Sequence, residues 1–256
     1  MTLLHIEHLT HYFGGLWAVQ DFNLDLQHGE LIAIIGQNGA GKTTVFNLIT
    51  GVYRPTEGGI IFQDQSLLDR RPHEIISRGI ARTFQSIRLF KELSVLDNVR
   101  IAHYTQAGYS TWDALLRTPH FIRQEARVRQ EALELLDIFG MADLAESTSK
   151  NLPYGQQRRL EIARALATRP ALLLLDEPAA GMNPAEVEQL METILWIRRE
   201  FKLTILLIEH QMRVVMGIAE RIKVLDFGQT IAEGTPKEIQ NHPRVIEAYL
   251  GEEVVA

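Results

Sequence analysis

The chain opens with alternation. From Leu3 to Leu26 apolar and polar positions trade places, and in FNLDL the residues Phe22, Leu24 and Leu26 share one face. A period of two predicts half-exposed antiparallel strands. LIAII, residues 31 to 35, is apolar throughout and runs into a glycine, as a strand buried on both faces of a parallel sheet does. Lys42 to Thr50 reads as a helix that Gly51 stops, with Pro55 beyond it. RPTEGGIIF predicts a short hairpin, and IARTFQ a strand that ends near Gln85.

From Ser94 the period becomes helical. SVLD resembles a capping box, and QEARVRQEALELLDIF sets Val128, Ala132, Leu135, Leu136 and Phe139 along one face. Residues 87 to about 150 therefore read as a helical insertion. Fully apolar strands return as ALLLLDE and LTILLIEH, separated by a helix that Asn183 and Pro184 open. KVLDFGQTIAEG predicts a hairpin, and TPKEIQN and HPRVIEAYLG two short terminal helices. Alternating β and α segments with apolar strands predict an α/β fold whose parallel sheet is covered on both faces. The chain shows no repeat, low-complexity tract or long linker.

Composition narrows the function classes. With 256 residues, 46% of them hydrophobic, one cooperative core with an insertion is expected. A formal net charge of -6 removes the global basic surface that drives non-specific nucleic-acid binding. No cysteine is present, which excludes disulfides, thiolate metal sites and cysteine nucleophiles and fits a reducing compartment. The N-terminus lacks a basic region followed by a long apolar run, and stretches such as ALLLL are too short to cross a bilayer. A soluble chain is expected.

Three strand ends carry chemistry. GQNGAGKTT, Gly36 to Thr44, fits the phosphate-binding pattern G-x-x-x-x-G-K-[ST] between a buried strand and a helix. This nominates Gly36, Asn38, Gly39, Ala40, Gly41, Lys42, Thr43 and Thr44 as nucleotide-binding. The glycines let backbone N–H groups curl around a phosphate, Lys42 neutralises terminal phosphate charge, and the Thr43 hydroxyl can ligate magnesium. Asp176 and Glu177 end the second buried strand, where α/β sheets place their ligands. Such a pair alone serves equally as a helix cap or a solvated loop. Beside a phosphate loop it reads as Asp176 bound to magnesium through water and Glu177 polarising the attacking water. His210 ends the third strand and emerges at the same sheet edge, as a polar contact to a terminal phosphate. His5, His8 and His11 lie in a strand, where His8 faces away from the other two, so they read as structural rather than as a metal cluster. Phe13 and Gln85 are unremarkable on residue type alone.

In order, Phe13 with GG, GQNGAGKTT, the Gln85 of RTFQ, LPYGQQRRLEIARAL, LLLLDEP, AAGMNP and the His210 of LIEH resemble the motif series of an ABC-transporter ATPase over nearly the whole chain. The resemblance implies a P-loop core with an antiparallel β subdomain and an inserted helical subdomain. It implies boundaries at 1–86 for the β subdomain and P-loop, 87–157 for the helical subdomain ending in the signature, and 158–256 for the rest of the core. Phe13 would stack on adenine, and Gln85 would touch magnesium and a membrane partner. Leu152, Pro153, Tyr154, Gly155 and Gln156 would form the signature that closes over a partner's P-loop. ATP and magnesium are the implied cofactors. The GG-L-x-A-V opening, TFQSIRLF, LLRTPHF, YGQQRRLEIARAL, DEPAAGMNP, LLIEHQM and VIEAYLGEE are similar to ATPases of high-affinity branched-chain amino acid importers and of urea importers.

Partners implied by that likeness are transmembrane permease subunits, a second ATPase (the same chain or another) and, indirectly, a solute-binding protein, with the chain peripheral on the cytoplasmic membrane face. A lipid or lipopolysaccharide exporter is the nearest alternative. A soluble ATPase acting on nucleic acid or ribosomes is a different class, and it usually carries paired cassettes or long coiled coils that this sequence lacks. The signature departs from the family pattern. Pro153 supplies neither the hydroxyl nor the backbone N–H of the usual serine, and Tyr154 enters positive φ less readily than glycine. Gly155, followed by a helix, keeps an N-terminal dipole facing an anion. In AGMN, Ala180 to Asn183, the usual aspartate is replaced by an uncharged Asn183.

Overall fold

The structure, a computed structural model, describes residues 1–104 and 110–250. The chain divides into two compact units, Met1–Arg82 together with the chain from Ala171, and Thr83–Pro170.

The first unit holds both sheets. Strands β1 (Thr2–Phe13) and β2 (Leu16–Gln27) form a hairpin. In β2 the buried Phe22, Leu24 and Leu26 alternate with exposed Asn23 and Asp25, as the period of two requires. In β1 the register slips between Ile6 and Leu9, where His8 takes a φ of 49°. Strict alternation therefore fails there, because a bulge adds a residue and re-aims the side chains after it. His5 meets Asp25 at 2.6 Å, His8 meets Asp21 at 2.7 Å, and His11 is packed among rings.

Strand β3 (Leu31–Ile35) is buried along its whole length and leads through the glycine loop into α1 (Lys42–Ile49), which ends before Gly51 at a φ of 69°. After it come β4 (Glu57–Phe62), β5 (Gln65–Ser66), α2 (Pro72–Ser77) and β6 (Ile80–Arg82). Strand β6 stops three residues short of Gln85, earlier than the apolar pattern predicts. The Phe84 and Gln85 carbonyls accept from the Arg158 side chain instead of from a strand neighbour, so the backbone is satisfied without pairing.

The second unit is helical: α3 (Val95–His103), α4 (Thr111–Leu116), α5 (Pro119–Ile138) and α6 (Tyr154–Leu166). Val128, Ala132, Leu135 and Leu136 of α5 are buried, and so is Phe139 at its C-cap. Ser94 caps α3 by accepting from the Asp97 N–H at 3.0 Å, but Asp97 does not complete the box, because its carboxylate pairs with Arg100 at 2.8 Å. The unit runs to Pro170, so α6 belongs to it as a whole, and a boundary at 157 cuts through that helix.

The chain returns to the first unit with β7 (Leu172–Asp176), α7 (Pro184–Glu200), β8 (Thr204–Ile208), α8 (Met212–Ile218), β9 (Arg221–Asp226), β10 (Gln229–Gly234), α9 (Pro236–Gln240) and α10 (Pro243–Leu250). Asn183 and Pro184 open α7 with a full capping box completed by Glu186. One sheet runs β2-β1-β4-β5 and is antiparallel; the other runs β10-β9-β3-β8-β7-β6, parallel except for the β10 edge. In β3, β7 and β8 every position is buried, and each leucine or isoleucine removed from water there contributes about 1.5–3 kcal/mol. The backbone ladder fixes the parallel register. Ile208 lies opposite both Ile34 and Asp176, so the loops that follow β3, β7 and β8 leave the sheet at one level and on one edge.

Candidate functional site

The loop after β3 is shaped by close backbone approaches. Gly36 has a φ of 152°, and a Cβ there would lie 2.2 Å from the Leu225 carbonyl oxygen; at Gly41, with a φ of 99°, it would lie 2.3 Å from that of Ala18. No other residue fits at either position. Asn38 and Gly39 are exposed at the loop crown, Ala40 is buried beneath it, and Thr43 is exposed in the first turn of α1 with Thr44 beside it. The Lys42 ammonium folds back to donate to the Gly36 carbonyl at 2.7 Å and the Gln37 carbonyl at 2.8 Å. It is 6% exposed and makes no ion pair among the described residues. Burial lowers its pKa below the usual lysine value, and the charges of Glu177 and Asp176 offset part of that shift. A cation held over carbonyls, unmatched by a carboxylate, is set to turn toward an anion.

At the neighbouring strand end Asp176 is buried and engaged. Its Oδ2 accepts from the Arg82 guanidinium at 2.8 Å, and Arg82 also donates to Asn47 of α1 at 2.7 Å and to Thr50 at the C-cap of that helix. Arg82 was not nominated by any motif. It joins β6, β7 and α1 across 94 residues of sequence, a pairing without a local signature.

Glu177 follows at a φ of 46°, in the left-handed region. That conformation costs a non-glycine residue about 1–3 kcal/mol and persists where the surroundings over-determine it. Here its N–H donates to the Ile208 carbonyl at 2.8 Å. His210, half exposed, brings Nδ1 to 3.7 Å from Glu177 Oε2. Lys42, Asp176, Glu177 and His210 thus come from three adjacent strand ends of one unit, as expected. At the far end of β1, Phe13 is 47% exposed, with Tyr53 and His11 packed edge-on against it at ring-centroid distances of 5.2 and 4.6 Å. This leaves ring surface open to solvent.

The remaining nominated residues lie in the helical unit. Two fully buried side chains of α6, Arg158 and Glu161, pair at 2.7 Å. Arg158 donates to the Phe84 carbonyl and, at 2.8 Å, to the Gln85 carbonyl, while Glu161 accepts from the Phe84 and Arg88 N–H groups at 3.4 and 3.3 Å. The loop that carries Gln85 is therefore clamped by the helix that follows LPYGQ. Sequence reasoning missed both members of the clamp, although their i, i+3 spacing places them on one helix face.

Helix α6 itself begins earlier than expected. Pro153 is its N-cap and Tyr154 its first helical residue, with Gly155 buried inside the first turn. The first intrahelical bond runs from the Gln157 N–H to the Pro153 carbonyl at 3.0 Å. Tyr154 adopts no positive φ, so the conformational objection to tyrosine falls away. The N–H groups of Tyr154, Gly155 and Gln156 have no acceptor within the helix. Leu152 is buried, and its carbonyl accepts from Gln157 Nε2 at 2.8 Å.

Among the described residues no group of three or more histidine, cysteine, aspartate or glutamate side chains can hold a metal ion. A hard cation here would need oxygen ligands from a nucleotide. The loop, its lysine and the neighbouring Thr43 hydroxyl fit that arrangement.

Known proteins share this organisation. The family model described as ABC transporter matches residues 19–180, and one described as branched-chain amino acid ATP-binding cassette transporter matches residues 229–255. The chain is similar to the high-affinity branched-chain amino acid transport ATP-binding protein LivG of Escherichia coli (strain K12), 47% identical over 98% of each chain. Its fold is similar to the crystal structure of the ADP conformation of MJ1267, an ATP-binding cassette of an ABC transporter, with a TM-score of 0.84, 31% identity, and coverage of 98% of this chain and 99% of that one. It also resembles the dimeric structure of a post-hydrolysis state of the ATP-binding cassette MJ0796 bound to ADP and Pi, with a TM-score of 0.77, 26% identity, and coverage of 91% and 98%. The chain belongs to the ABC transporter family, as a nucleotide-binding, ATP-hydrolysing cassette.

Proposed function

We propose that this chain energises a membrane importer for branched-chain amino acids. The observation that carries the reading is the 47% identity over 98% of both lengths to a protein named for that transport, supported by the matching C-terminal family model. The substrate itself is selected elsewhere, because nothing in a nucleotide site reads an apolar amino acid.

The geometry supports the following site roles. The 36–44 loop holds the phosphates, Lys42 swings from its carbonyls to them, and Phe13 stacks on adenine through its open ring face. Glu177, held at the sheet edge, orients the attacking water, and His210 beside it contacts the terminal phosphate. Magnesium supplies charge neutralisation when bound with ATP; Thr43 ligates it directly, Asp176 through water, and Gln85 belongs to its expected ligand set. The signature, Leu152 to Gln156, offers the open N–H groups of α6 to a partner's nucleotide. The chain works in pairs, alike or unlike, and the dimeric form of a related cassette supports this.

No helix among the described residues is long and apolar enough to cross a membrane. The chain reaches the bilayer through permease subunits, peripherally on the cytoplasmic side, with the clamped Gln85 loop as its contact and a solute-binding protein acting at one remove; the similarity to a transport ATP-binding protein supports this reading. A tagged pull-down from native membranes in mild detergent tests this. Two multi-span proteins and an ATPase partner are expected. Recovery of ribosomes, nucleic acid or no membrane protein would overturn the importer reading.

A further inference from the structure

The loops after β7 and β8 are joined by a residue that the motif series leaves without a role. Glu209 ends the buried run TILLIE and is itself 0% exposed. Among the described residues no lysine, arginine or histidine forms an ion pair with it. Its Oε1 accepts from the Ala179 N–H at 2.9 Å, and its Oε2 accepts from the N–H groups of His210 at 3.0 Å and Gln211 at 3.1 Å. The Gln211 side chain completes the join by donating to the Ala179 carbonyl at 3.1 Å.

A carboxylate is an expensive way to fill a buried position unless its charge is met by hydrogen bonds. Here all three donors are backbone N–H groups, and they belong to two loops: the one that starts at Glu177 and the one that carries His210. Apart from Asp176 and Thr204, the buried positions of β7 and β8 are apolar, and Asp176 is met by the Arg82 guanidinium, whereas the acid at 209 is met by backbone alone.

We propose that Glu209 is a positioning residue for ATP hydrolysis, a two-sided acceptor that locks the His210 backbone to the loop of Glu177 and so sets the distance between the two side chains. The inference rests on the reading of Glu177 and His210 as the hydrolytic pair. Glutamine in its place would keep an acceptor on one side only and turn an amide N–H₂ toward the donors on the other. The join would open without a change in side-chain volume. Nucleotide affinity, set by the 36–44 loop and Phe13, would be unaffected.

The test is a double-mutant cycle on the full-length chain, with kcat and KM for ATP read from phosphate release. Glu209→Gln is expected to lower kcat by about ten- to a hundredfold, as a misplaced group does, with KM within about twofold of wild type. His210→Ala is expected to lower kcat as well. The double variant is expected to be no slower than His210→Ala alone, because groups that act as one unit are not additive. Multiplicative losses in the double variant, or an unchanged kcat in Glu209→Gln beside an impaired His210→Ala, would overturn the positioning role and leave the hydrolytic pair standing. Full activity in His210→Ala would overturn both. Should Glu209→Gln lose its cooperative melt, Gln211→Ala decides: it removes only the partly exposed side-chain bond, and a wild-type kcat there would overturn the inference.

Discussion

Lys42 shows how one residue's surroundings bear on the site's pH response. Burial lowers its pKa, and the nearby carboxylates restore only part of the shift. Phosphate charge placed beside the ammonium raises it again, so the nucleotide-free protein releases this proton at lower pH than the nucleotide-bound one. Between the two pKa values binding takes up a proton, and affinity falls as pH rises; below both, this residue contributes no pH dependence. Calorimetry of ADP binding at alkaline pH in buffers of different ionisation enthalpy is expected to report net proton uptake. A heat independent of buffer would refute the linkage. Glu177 is the complementary case at this scale. Its place at the end of a buried strand was legible from the residue pair, but its left-handed backbone was not, because it is held by tertiary contacts such as the bond from its N–H to the Ile208 carbonyl.

At the scale of elements, α6 is where sequence and structure diverge most usefully. Pro153 and Tyr154 look like damage to a phosphate-binding loop, yet Pro153 caps the helix and Tyr154 extends it, leaving three N–H groups open at its start. What the sequence departure removes is the serine hydroxyl. One hydrogen bond to a charged group contributes about 1.5–3 kcal/mol, and a glycine in the first turn costs up to about 1 kcal/mol relative to alanine. Pro153→Ser combined with Tyr154→Gly is therefore expected to tighten ATP-dependent pairing by about tenfold. Sedimentation in a Glu177→Gln background, where on the proposed role of Glu177 hydrolysis would no longer dissolve the pair, measures it. Pairing that is unchanged or weaker would mean that the helix end already supplies the full interaction.

For the whole molecule the consequence is kinetic. On the proposed pairing, a site completed by a second chain's signature hydrolyses only in the paired state, so the rate per chain would depend on how often chains meet. Specific ATPase activity of the isolated chain is expected to rise with its concentration and then level off as pairs saturate. A flat profile from nanomolar upward would require hydrolysis by single chains. An obligatory unlike partner would show itself by restoring activity on addition to a dilute, inactive preparation.

Local order in the chain was enough to reveal the two sheet types, the phosphate loop, the cap at Asn183 and the convergence of Lys42, Asp176, Glu177 and His210. Each depends on periodicity or on spacing within a few residues, and strand burial then places the loops without further information. The tertiary structure alone decided the Arg82–Asp176 pair, the Arg158–Glu161 clamp on the Gln85 loop, the slip in β1 and the carboxylate of Glu209 bridging two loops. These join groups 94, 73 and 30 residues apart in the pairs of Arg82 with Asp176, Arg158 with Gln85 and Glu209 with Ala179. Such contacts arise only after the apolar strands have packed, because a buried ion must then find its partner among the backbone and side-chain groups that burial has brought near.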